Sequence, residues 1–316
     1  MLERDDSLIS FAQLSKLDLQ PPRAVVDNFL YEGLTIIAGM PKFGKSFMSL
    51  NMVLSVSSGA SLFGSLRVNP CNVAYLALED SANRVKDRAD VICTALNIGM
   101  PDNLYLKNNN VLPMFSGGLD QVEFFIQSQS LGLLVIDTFA KFIMGRKRSG
   151  NVYDDDYMAS QALHDLAFRH HMAIVAIHHT NKRQEVNHFL DNVSGSNGVI
   201  AAADAVMVIK RNEVNLPILC VTGRDVVEGE YVAQFDADTF IWSIGGEMQD
   251  IRIGDDQKQV VDLLNKNPMG MTISAIKQFF PNKSYDAVKK MIYRLKDRNI
   301  VTVDAGHLIK LQYAIL

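Results

Sequence analysis

Six short runs in this chain are apolar at nearly every position: Leu34–Ala38, Val73–Leu78, Leu133–Ile136, Ala173–Ile177, Ala205–Ile209 and Ile218–Val221. A strand with one face in water alternates apolar and polar residues, so a run apolar throughout needs cover on both faces. Stretches of helical periodicity are interspersed, at Lys45–Ser57, Ser81–Leu96, Leu119–Gln129 and Asp156–His170. The alternation predicts an α/β fold, a mostly parallel sheet flanked by helices. Residues 1–30, with Pro21-Pro22, read as an N-terminal arm, and residues 31–248 as the sheet-containing core.

Charge divides the chain further. The net charge is −4, but residues 255–316 carry 10 Lys and Arg against 6 Asp and Glu, leaving 21 against 29 before them. A uniformly basic nucleic-acid coat is excluded; a basic tail that meets something anionic is not. Gly245-Gly246 and Gly254 mark the expected boundary, with residues 249–316 as a small separate domain. Cys71, Cys93 and Cys220 are far apart and form no CxxC pair, which suits a reducing cytoplasm. The acidic start lacks an apolar leader, and no apolar run reaches the ~18 residues of a membrane span. A cytoplasmic protein with no membrane partner is expected.

Gly39-Met40-Pro41-Lys42-Phe43-Gly44-Lys45-Ser46 fits G-x-x-x-x-G-K-[ST], between an apolar strand and the helix Lys45–Ser57, and with Phe47 makes up the candidate nucleotide-binding stretch. Glycines let successive backbone N–H groups curl around a β-phosphate, and the helix N-terminus adds its positive dipole end. Lys45 would reach the β- and γ-oxygens of ATP, and the Ser46 hydroxyl would hold Mg²⁺. Asp137, ending the strand Leu133–Ile136, supplies the carboxylate expected beside Ser46 at the metal. A catalytic base does not follow directly, because the next residue is Thr138. Glu79 is the candidate: a carboxylate at the C-terminal end of a parallel strand can polarise water at a γ-phosphate. Capping of the helix Ser81–Leu96 is the competing reading of Glu79 and Asp80.

This placement of the acid, on the strand after the phosphate-loop helix, resembles the RecA-like ATPases. Leu78-Glu79-Asp80 followed by Arg84 and Arg88 is similar more narrowly to the hexameric replicative helicases of the plasmid RepA type. Ile136-Asp137-Thr138-Phe139, His178-His179-Thr180 and Val221-Thr222-Gly223-Arg224-Asp225 continue the likeness, which covers roughly residues 20–240. It implies a ring, with His179 as a sensor of γ-phosphate and Arg224 as a finger crossing to the neighbouring site. Lys210 and Arg211 are weaker finger candidates, and a satisfied core or interface histidine is the other reading of His179. Adjacent strand residues point to opposite faces, so His178 and His179 do not suit one metal.

Two loops are candidates for single-stranded DNA. Arg146-Lys147-Arg148 sits between glycines, and Lys182-Arg183 opens a second polar stretch; both suit a phosphate backbone, and a merely solvated surface is the alternative. Helices at Asp255–Asn267, Thr272–Phe280 and Tyr285–Arg298, the last capped by Ser284, precede a hairpin and look like a winged helix. Val288, Met291, Ile292 and Leu295 form the buried stripe of the third helix. Lys289, Lys290 and Arg294 lie off it, for DNA or for a docked protein. The implied function is an ATP-dependent helicase acting on single-stranded and forked DNA in replication of a plasmid, phage or mobile element. A primase or initiator is a candidate partner. The alternative is an ATP-switched DNA-binding regulator or recombination mediator that separates no strands.

Overall fold

The computed structural model describes residues 8–145, 151–179, 198–212, 216–247, 255–297, 300–304 and 306–311. A short helix α1 (Phe11–Leu14) leads to a hairpin of β1 (Ala24–Val26) and β2 (Leu30–Tyr31), then to β3 (Gly33–Gly39) and α2 (Lys45–Ser58). β4 (Asn72–Ala77), α3 (Ala82–Leu96), β5 (Leu104–Lys107), α4 (Gly118–Gln129) and β6 (Leu131–Asp137) follow. Next come α5 (Phe139–Phe142), α6 (Val152–Arg169), β7 (Ala173–His179), α7 (Gly198–Ala201) and β8 (Ala205–Arg211). β9 (Pro217–Gly223), β10 (Gly229–Phe235) and β11 (Trp242–Glu247) complete a nine-stranded sheet of order β11-β10-β9-β8-β3-β7-β6-β4-β5.

The six strands from β5 to β8 in that order run parallel, and β9, β10 and β11 extend the β8 edge antiparallel. Side chains alternate between two apolar layers. Val175 and Ile177 pack with Met52 and Val53 of α2, whereas Ile174 and Ala176 pack with Leu163 and Leu166 of α6. Both faces are covered, which is why the central strands carry apolar residues at nearly every position.

Several elements differ from expectation, each for a local reason. Val25, Val26, Phe29 and Leu30 are buried in the same layer as α2, so residues 24–30 pack into the core rather than trailing from it. α6 starts four residues before Asp156, because the Asn151 side chain caps it by accepting from Tyr153 N at 3.1 Å. The Gly245-Gly246 pair lies inside β11, not in a linker. β5 and β10 escape the sequence pattern because few of their side chains are buried: Tyr105 and Leu106 are exposed on the edge strand β5, and only Val232 and Ala233 of β10 are buried.

Beyond the sheet lie α8 (Asp255–Lys266), β12 (Met271–Thr272), α9 (Ile273–Lys277), α10 (Tyr285–Asp297), β13 (Val301–Val303) and β14 (Leu308–Leu311). The three strands form an antiparallel sheet of order β12-β14-β13. Val260, Val261 and Leu264 of α8 meet Val288, Ile292 and Leu295 of α10 in one core, and Leu216 and Val232 from the β9–β10 side join it. Ser284 Oγ caps α10 by accepting from Ala287 N at 3.2 Å. Among the described residues, no helix is long and apolar enough to cross a membrane.

Candidate active site

The phosphate-loop sequence occupies the turn from β3, a central strand, into α2. Gly44 is the N-cap of α2 at φ +75°, a left-handed conformation that a side chain strains, and a Cβ there would lie 2.8 Å from the Trp242 ring. Among the described residues no side chain caps this helix. Its first-turn N–H groups are therefore left for an anion, with the dipole adding to the attraction. Lys45 is almost wholly buried, and its Nζ donates to the carbonyls of Gly39 and Met40, each at 2.8 Å. Burial lowers its pKa to about 8 against the opposing pull of the Asp137 and Glu79 carboxylates.

The free protein therefore loses the Lys45 proton as pH rises through about 8, while a bound polyphosphate would favour the charged form. Nucleotide affinity is expected to be flat below pH ~7 and to weaken by up to about tenfold per pH unit above ~8. A titration of binding between pH ~6.5 and ~9.5 checks it; affinity flat throughout would mean that no proton is taken up at Lys45 on binding in that range.

Asp137 ends β6 and is buried. Burial raises its carboxyl pKa, opposed by hydrogen bonds that it accepts from Ser46 and Tyr75, the latter at 2.9 Å from the phenol oxygen. Burial and the Asp137 charge push the Tyr75 phenol well above its usual range, so it stays a donor. The Ser46 hydroxyl and the Asp137 carboxylate thus stand within hydrogen-bond reach from two different elements. Two hard oxygen ligands beside a phosphate-receiving loop fit Mg²⁺, which takes one or two protein oxygens and completes its shell with phosphate and water.

Glu79 follows β4. Leu78 N donates to the Asp137 carbonyl at 2.7 Å, which brings the ends of β4 and β6 together, and Thr138 Oγ1 donates to Glu79 Oε1 at 2.9 Å. The capping alternative does not hold for Glu79. Ser81 is the N-cap of α3, accepting from Arg84 N, while Asp80 pairs with Arg84 at 2.7 Å and with Arg88. Glu79 is exposed at the rim of a cleft of about 690 Å³, lined also by Lys45, Ser46, Asp137, Thr138 and His179. Among the described residues His179 Nδ1 is buried without a hydrogen-bond partner; burial first, then the Lys45 charge, lowers its pKa and favours the neutral ring. His178 faces the other layer, its ring 6.1 Å from that of Phe139.

Other candidates lie elsewhere. Arg224 follows β9, whose Gly223 pairs with Ala205, level with Thr35 at the far end of β3 from the loop. Its side chain is 68% exposed and sits 3.3 Å from Asp204. Arg211 lies over the Phe43 ring of its own loop at 5.2 Å, and Lys210 pairs with Glu230 at 3.7 Å. Lys289, Lys290 and Arg294 are exposed on α10. Arg146, Lys147, Arg148, Lys182 and Arg183 lie outside the described residues. Sequence reasoning misses Tyr75 and Thr138. Tyr75 sits four residues before Glu79 on a period-two strand, a spacing that places both toward one face.

Residues 2–185 match the AAA domain family, more than half of the chain. The chain belongs to that family. Among its relatives is the replicative DNA helicase DnaB of Rickettsia prowazekii, 25% identical over 239 residues, covering 65% of this chain and 47% of the relative. DnaB of Rickettsia typhi is likewise 25% identical, over 225 residues, 60% of this chain and 44% of the relative. The chain thus spans less than half the length of these curated relatives. The fold matches a solved ATPase domain at TM-score 0.53 and 13% identity, over 68% of this chain and 85% of that one. It also matches a KaiC-like protein from Pyrococcus horikoshii, at TM-score 0.50 and 11% identity over 70% and 94%. The sheet and its flanking helices therefore form a RecA-like α/β fold.

Proposed function

We propose that this protein is an ATP-driven DNA helicase of the plasmid RepA type, forming a hexameric ring with its nucleotide sites between subunits. The observation that carries the reading is the Glu79 carboxylate, held by Thr138 at the cleft that Lys45, Ser46 and Asp137 line. The backbone of residues 39–47 receives the phosphates, and Lys45 exchanges its two carbonyl partners for the β- and γ-oxygens. Ser46 and Asp137 would hold Mg²⁺, which would offset negative charge at the phosphates. Glu79 orients a water and accepts its proton as the water oxygen attacks the γ-phosphorus and the bond to ADP breaks. Arg224 of the neighbouring subunit offsets the charge that develops there.

His179, its Nδ1 buried at the cleft, reads the presence of γ-phosphate for the loop that follows it. The basic loops carrying Arg146, Lys147, Arg148, Lys182 and Arg183 contact a single strand, mainly through its phosphates. Residues 249–316 form a winged helix whose α10 presents Lys289, Lys290 and Arg294 to DNA. Similarity to DnaB supports the helicase branch of the reading. Its setting is the replication of a plasmid, phage or other mobile element in the cytoplasm, with a primase or initiator to load it.

The test is ATP-dependent separation of a forked duplex offered with 5′ or 3′ single-stranded tails. Separation from one polarity, abolished in Lys45→Ala, is the expected result. Hydrolysis without separation on either fork would favour the ATP-switched regulator or recombination mediator.

A further inference from the structure

The chain has one tryptophan, Trp242, and it is tied to the phosphate loop. Its indole Nε1–H donates to the Gly44 carbonyl at 3.1 Å, and its ring fills the space that a Cβ on Gly44 would enter. That carbonyl also accepts from Met48 N at 2.9 Å within α2. The helix therefore does not need the indole to satisfy a buried acceptor, and the indole bond is an added tether.

Asn51 reinforces it from the next turn of α2. Asn is a poor helix-interior residue, yet this one is buried and uses both ends of its amide. Its Nδ2 donates to the carbonyls of Phe47 and Phe240, each at 2.8 Å, and its Oδ1 accepts from Trp242 N at 2.9 Å. The Phe47 ring, directly after Ser46, packs against Phe240 and Phe235 with centroids 4.9 and 5.2 Å apart. Through Gly44, Phe47 and Asn51 the first turns of α2 are thus joined to the β10–β11 hairpin at Phe235, Phe240 and Trp242.

We propose that Trp242, backed by Asn51, is a positioning residue for the phosphate loop: it fixes Gly44, and with it the N–H groups that receive phosphate. The proposal rests on the nucleotide-binding reading above and extends it to a hairpin nearly 200 residues away in sequence. Because the indole touches the residue preceding Lys45, occupation of the loop changes the surroundings of the chain's sole tryptophan.

The experiment uses the full chain, fluorescently labelled ADP, and the variants Trp242→Phe and Asn51→Ala. Trp242→Phe keeps an aromatic ring but removes the donor; the half-saturating ATP concentration is expected to rise about fivefold with kcat within about twofold, the scale of one hydrogen bond. Asn51→Ala retains the tryptophan and should shift half-saturation the same way. Wild-type tryptophan emission should change on adding ATP, saturating at the concentration that displaces labelled ADP. Labelled ADP binding equally well to all three proteins, with no change in wild-type emission, would overturn the proposal. A lower melting temperature and kcat with unchanged half-saturation would likewise reduce Trp242 to packing. Should Trp242→Phe fail to fold, the emission titration and Asn51→Ala decide alone. Failure of the wild type to bind labelled ADP at all would instead sink the nucleotide site itself, and this proposal with it.

Discussion

Replacing Glu79 with Gln is expected to lower ATP turnover by about 10²- to 10⁴-fold, the range that a positioned general base contributes. Nucleotide binding should stay within about twofold, since no phosphate contact is lost. The amide oxygen of Gln can still accept from Thr138 Oγ1, so the side chain keeps its place and loses only its capacity to take a proton. Glu79 is exposed and caps no helix, so stability should move by no more than about 0.5 kcal/mol. Asp137→Asn is a poorer test of chemistry, since that buried carboxylate is bonded to both Ser46 and Tyr75 and its loss disturbs the site as well. Single-turnover hydrolysis beside labelled-nucleotide binding separates the two effects. Turnover within about tenfold of wild type would move the base away from Glu79.

Arg224→Ala is expected to cost about 10³-fold or more, the low end of what a charge-stabilising arginine supplies. Register puts Arg224 at the opposite end of the sheet from Lys45, so no in-chain movement of a side chain brings them together. In its contact with Asp204 the carboxylate is mostly covered and also accepts from Leu34 N, while the guanidinium is 68% exposed and can turn to a phosphate on another subunit. The signature of such a site is complementation. Lys45→Ala supplies an intact finger and Arg224→Ala an intact loop, so mixing two inactive proteins should restore activity at about a quarter of boundaries in a random ring. A mixture as inactive as its parts would place Arg224 outside the site.

Much of this site is legible in the order of the amino acids, and the reasons are local. Glycines and a helix start specify the phosphate loop by spacing alone, and Asp137 and Glu79 stand out as carboxylates ending apolar strands. What is not legible depends on contacts between distant segments. Thr138 has no evident role in the sequence because threonine is no base, yet the Leu78–Asp137 hydrogen bond brings it within reach of Glu79. Asn51 reads as a flaw in a helix until the β10–β11 turn folds over it. β10 itself has only two buried residues, so its pattern gives little signal although it carries Phe235 to Phe47. The hairpin at residues 24–31 is obscured by the prolines that precede it, but its four apolar side chains complete the layer over α2.

A cleft that hydrolyses ATP to do work on a DNA strand must respond to that strand. The measurement that decides it is ATP turnover with and without single-stranded DNA, for wild type and Glu79→Gln. Wild-type turnover should be measurable and stimulated by single-stranded DNA, while Glu79→Gln should bind nucleotide but show neither. Wild-type turnover indifferent to DNA, or absent altogether, would contradict the motor.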